Sequence, residues 1–145
     1  MGLYTWLNFF HLLGVVVFFF AHGFAGATSF ALRGQVTVAT RPLLQLSQRA
    51  SFVSNPALLV VIVTGIWMSF VDNWWHQAWP FVAIGVLVVL FVAMGLLARP
   101  YYMARMAKTD EEIGQRLSQA RPEAIGAVGL VGLALLLVLM VFKPF

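Results

Sequence analysis

The chain alternates long apolar runs with short polar intervals. The runs cover Leu3 to Leu32, Phe52 to Val71, Pro80 to Ala98 and Ala124 to Phe142. Each supplies the ~17–25 residues that carry a helix across ~30 Å of hydrocarbon. None alternates in polarity with a period of two over about 10 residues, as the strands of a membrane barrel do. The pattern predicts an all-α integral membrane protein, a four-transmembrane-helix bundle that forms one domain over residues 1–145.

The intervals carry their own signals. In the first, Pro42 can open a helix, and Leu43, Leu44 and Leu46 alternate with Gln45, Gln48 and Arg49, which predicts a short interfacial helix. Asn55 and Pro56 then offer a second start, as cap and first helical residue, and leave open whether the second span begins at Pro56 or kinks there. In the third interval Thr109 with Glu112 three residues on reads as a capping box, with Asp110 and Glu111 at the positive helix end. Ile113, Leu117 and Ala120 share one face of the short helix that follows, which ends before Pro122 and is either a connector or a docking element. Trp74, Trp75, Trp79 and His76 crowd the middle interval, where an aromatic belt at headgroup level is expected and a carbohydrate or substrate platform is the alternative.

Composition agrees: 61% of residues are hydrophobic and 10% charged, against about a quarter charged in soluble domains. The net charge of +4 would suit nucleic acid only if it were gathered into a patch. Instead Arg33, Arg41 and Arg49 lie in the first interval, Arg99, Arg105, Lys108, Arg116 and Arg121 in the third, and no Lys or Arg in the second. The positive-inside rule makes the first and third cytoplasmic, with both termini on the outer side of the membrane and only Lys143 opposing. The first run exceeds a bilayer's needs, so its helix is expected to tilt or to project into the cytoplasm. "AGA" at Ala25 to Ala27 mimics a signal cleavage site, but no Lys or Arg precedes Arg33, so a retained span is expected. With no cysteine, disulfides, thiolate metal sites and cysteine nucleophiles are excluded.

His11 and His22, eleven residues apart, lie almost three turns apart and so point in nearly the same direction, ~16 Å from each other along the helix. Tyr4, Asn8, Val15, Phe18, Gly26 and Ser29 share their stripe, which is expected to face the interior because polar groups facing lipid are costly. Gly14, Ala21, Ala25 and Thr28 run beside it and would admit a close neighbour. Three readings stand: hydrogen bonds between helices, ligation of haem iron or copper, and a proton or quinone path. At ~16 Å the two rings cannot share one metal. On this topology His11 lies in the outer half, within possible reach of His76, Met68 or Met140, and His22 in the inner half nearer Met94. The candidate cofactor residues are therefore His11, His22 and His76, with His11 and His22 the candidate metal ligands; the methionines double as gap fillers. No Asp, Glu or Lys lies within the spans before Lys143, which argues against an ion-coupled transporter. No Ser-His-Asp set, HExxH or phosphate loop is present, so any catalysis would run through a bound redox group.

The opening "LYTWLNFFHLLGVVVFFFAHGFAG", the Thr64-Gly65 pair and the ending "LVLMVFKPF" resemble the copper-resistance-D-like superfamily of small four-helix membrane proteins. That superfamily includes the haem-containing protoporphyrinogen oxidase of bacteria and a larger group of uncharacterised neighbours. The resemblance implies haem b as cofactor and places His11 where the oxidase carries a first-helix histidine implicated in haem binding. The oxidase's Pro-Arg pair is replaced here by "FAGATSFALRG", and its intramembrane lysine has no counterpart in the second and third spans. The resemblance therefore points to the neighbours rather than to protoporphyrinogen oxidation. Copper import lacks a Met/His entry cluster. The expected function is membrane redox or haem/copper homeostasis through bound haem b. The alternative is a cofactor-free accessory or assembly subunit of a larger membrane complex of respiratory or photosynthetic type. Gly85, Gly95, Gly126, Gly129 and Gly132 offer close helix contacts in either case, within the chain, with other subunits or in a homo-oligomer in the lipid bilayer.

Overall fold

The computed structural model describes residues 2–33 and 36–144. Residues 1, 34, 35 and 145, and with them the ends of the expected domain and the last residue of "LVLMVFKPF", lie outside the described residues. The chain forms α1 (Leu3–Ala31), α2 (Thr40–Val71), a 3-10 turn (Trp74–His76), α3 (Trp79–Met106), α4 (Asp110–Ser118) and α5 (Pro122–Phe142). Of these α1, α2, α3 and α5 are long and apolar enough to cross a membrane. They correspond to the four apolar runs.

Two helices are longer than their runs. The separate interfacial helix expected before the second span is instead the first part of α2, and Pro56 lies inside that helix rather than at its start. A proline there withholds the N–H that the Phe52 carbonyl would accept. Hydroxyls nearby bond other carbonyls of the same stretch: Ser51 donates to the Ser47 carbonyl at 2.9 Å and Ser54 to the Ser51 carbonyl at 3.3 Å. Likewise α3 continues through Arg99 and Pro100 to Met106. Its extra turns are held by packing, since Tyr101 and Ala104 are both buried; Arg99 and Arg105 thus belong to a helix and not to a loop.

The helices associate as two pairs, α1 with α2 and α3 with α5, and contact between the pairs is sparse. Small residues set both pairings. A Cβ added at Gly14 would lie 3.0 Å from Val61 Cγ2 and 3.3 Å from the Ala57 carbonyl, so α1 approaches α2 more closely there than a side chain would allow. At Gly132 the Leu90 side chain occupies the place a Cβ would take. Gly85 and Gly95, by contrast, face open space.

The main buried cluster sits at one end, where Leu32, Leu44, Tyr101, Ala104, Ile113, Leu117 and Ile125 meet. Half of the capping box at Thr109 forms: its Oγ1 accepts from the Glu112 N–H at 3.2 Å, while the Glu112 carboxylate accepts from the N–H of Lys108, one residue before the cap, at 3.0 Å. α4 then lays Ile113 and Leu117 into the cluster, so its apolar face is covered by its own chain. Polar bonds tie this end together: Tyr101 donates to the Ser29 carbonyl at 3.3 Å, Arg105 to Ser47 Oγ at 2.8 Å, and Arg41 and Arg33 pair with Asp110 and Glu123. The opposite end gathers Tyr4, Trp74, Trp79 and Lys143.

Candidate ligand site on the first helix

The inward face of α1 is narrower than the stripe drawn along the sequence. Leu7, His11, Gly14, Thr28 and Ser29 are buried, Phe18 and His22 are half-buried, and Asn8 is exposed. A single close neighbour, α2, covers a line of residues rather than a broad face, and Asn8 falls off its edge.

His11 is the polar centre of that line. Its Nδ1 lies 3.0 Å from the Val61 carbonyl oxygen and 3.0 Å from Thr64 Oγ1. A carbonyl oxygen only accepts, so the contact with Val61 requires the proton on Nδ1. The Thr64 hydroxyl donates to the Val60 carbonyl at 2.6 Å and therefore turns a lone pair toward the ring. Nδ1–H is shared between two acceptors, so in the neutral ring the unprotonated nitrogen is Nε2. Among the described residues nothing donates to Nε2. Metal-bound histidines are commonly held in this way, one ring N–H on a backbone carbonyl and the other nitrogen left for the ion. Gly65 makes room for the ring: a Cβ there would lie 3.2 Å from His11 Cε1.

The other two histidines are placed differently. His22 stacks on Phe18 with ring centroids 5.0 Å apart and an interplanar angle of 16°, and makes no hydrogen bond among the described residues. His76 is exposed on the 3-10 turn, and the hydrogen bonds of His11 run to α2 alone. Met68 is buried one turn beyond Thr64, toward Leu7. Met140 is exposed, and Met94 packs against the main cluster with its methyl near Gly129. Among the described residues no three His, Cys, Asp or Glu side chains converge on a metal-sized position. What the site offers is one oriented imidazole buried at a helix interface, with one ring nitrogen that makes no hydrogen bond among the described residues.

No protein-family model, curated protein or solved structure matches the chain. The residues that orient His11, Val61 and Thr64, were missed as site residues from sequence alone. Thr64 was visible there only as part of a Thr-Gly pair, since which turn of α2 faces His11 depends on the interhelical register.

Proposed function

We propose that this chain is a small polytopic protein of the bacterial inner membrane that binds haem b through His11, serving membrane redox chemistry or haem/copper homeostasis. The observation that carries the reading is the His11 ring itself, fixed through Nδ1 on Val61 and Thr64 with Nε2 left bare. The likeness of the first helix to the copper-resistance-D-like superfamily supports it independently. His11 is the histidine that would hold the haem, since His22 is stacked on Phe18 and His76 is exposed on the 3-10 turn. Bound haem would supply one-electron chemistry, and the chain's own part is to orient the imidazole and exclude water from it. The positive-inside rule puts the end bearing Arg33, Arg41, Arg105 and Lys108 in the cytoplasm and the Trp74–Trp79 end outside. Protein purified from its native membrane should show a b-type absorption spectrum that sharpens on reduction; a colourless, haem-free preparation that is fully folded contradicts the reading.

A second reading, an accessory subunit of a larger complex or a homo-oligomer, is favoured by one observation. The most apolar window of α3 is only 6% buried within the chain, leaving Phe81, Val89, Phe91 and Leu96 exposed. Lipid or neighbouring subunits must cover that surface. Gentle extraction and native sizing separate the two, and a monomer of 16.1 kDa that carries haem removes the need for a host complex.

A further inference from the structure

At the end opposite the main cluster, two indole rings flank an ammonium, and a tyrosine braces one of them. The Trp74 and Trp79 rings lie 5.3 Å apart at 57°, and Tyr4 meets Trp74 edge-on at 6.2 Å. Lys143 Nζ stands 3.8 Å from the Trp74 ring centroid and 5.6 Å from that of Trp79. Backbone geometry builds this arrangement from distant parts of the chain. Asn73, in the left-handed region at φ 56°, reverses the chain after α2 and starts the turn that carries Trp74. Trp79 is buried and fixed by its indole N–H, which donates to Gln77 Oε1 at 2.6 Å. Lys143 is also left-handed, at φ 44°, and so turns its side chain back from the end of α5. Among the described residues Asp72, at the C-cap of α2, is the one acidic side chain on the segments that form this end.

An ammonium over an indole face is held by the ring quadrupole and needs no hydrogen-bond acceptor, which is why aromatic cages accept methylated ammonium groups. The occupant here is tethered by a flexible stem and is exposed to its surroundings, so another cation can replace it. All four long helices begin or end at this level, which puts the arrangement at the headgroup boundary of a membrane. We propose that Trp74 and Trp79, with Tyr4 braced edge-on against Trp74, form a binding site for an alkylammonium group, carried by a lipid headgroup or by a free small molecule, with Lys143 as its built-in competitor. This site is independent of His11 and of any haem.

Lys143 and Lys108 are the chain's two lysines, so reductive methylation with carbon-13 gives each one NMR signal. In a maltoside detergent the Lys143 signal is expected upfield of Lys108, shifted by the indole ring currents. Tetramethylammonium, titrated against sodium at constant ionic strength, should move it back to the Lys108 position. Lys143→Ala should bind tetramethylammonium on the order of tenfold more tightly by calorimetry, because the tethered competitor is gone. Trp74→Leu should abolish both effects while leaving helix content unchanged. In lipid discs, release of Lys143 by phosphatidylcholine and not by phosphatidylglycerol identifies a headgroup ligand; release by soluble choline alone identifies a free one. A Lys143 signal coincident with Lys108 in maltoside, or one that no ammonium moves together with no binding to Lys143→Ala, overturns the proposal.

Discussion

Replacing Thr64 by valine tests the His11 arrangement with little change of shape. The substitution removes the oxygen that accepts from His11 Nδ1 at 3.0 Å and keeps a β-branched side chain of similar volume. The Val61 carbonyl, also 3.0 Å from Nδ1, still accepts, so the imidazole proton is not orphaned. The cost is therefore that of one side-chain hydrogen bond between membrane helices, about 0.6 kcal/mol and at most ~1.7 kcal/mol. Thr64→Ser retains the oxygen and should stay close to the parent. His11→Ala loses both acceptors' bonds and leaves space beside Gly65, and should cost about 2–3 kcal/mol. In the double variant the Thr64 effect should vanish, giving a coupling energy of about 0.6 kcal/mol. Reversible unfolding in mixed micelles of rising dodecyl sulfate fraction reads the parent and all four variants. A coupling of zero, or a Thr64→Val protein as stable as the parent beside an unstable Thr64→Ser, would refute the shared-proton arrangement.

Other residues give equally direct outcomes. Gly132→Ala forces Leu90 to move and should destabilise the α3–α5 pair by about 1–3 kcal/mol in the same unfolding assay, with relief from Leu90→Ala, whereas Gly85→Ala, facing open space, should be near neutral. Ile113 is 1% exposed, so Ile113→Ala should cost about 2–4 kcal/mol and free α4 for proteolysis, while Thr109→Ala should cost only about 1 kcal/mol through its cap. Nitrogen-15 histidine NMR of haem-free protein should show His11 as the tautomer protonated at Nδ1; a proton on Nε2 would remove the argument for a free ligand position.

The four spans were legible because a run of ~20 apolar residues matches the thickness of the hydrocarbon layer, a length that a small soluble core does not call for. Their ends were not. The sequence leaves open whether Pro56 starts or kinks the second span and ends the third run at Ala98, yet α2 and α3 run on through Pro56 and Pro100, the added turns of α3 held by packing at Tyr101 and Ala104. The inward turn of His11 was legible from helical spacing, and so was the small-residue flank at Gly14. The outward turn of Asn8 was not, since spacing gives a direction but not the width of the face a neighbour covers. Lys143 looked like a stray charge against the topology. Its place over Trp74 joins positions about seventy residues apart in the chain, and only the antiparallel course of α2, α3 and α5 brings them to one end.

The central claim is that His11 holds haem, and replacing the side chain by a free one tests it most directly. His11→Gly, expressed in the native membrane and shown to be folded, should lack the b-type absorption, and imidazole added during growth or purification should restore it. His76→Ala, at an exposed position, should keep the pigment. A folded His11→Gly protein with the parent's full b-type spectrum, or a parent with no pigment at all, would contradict the account.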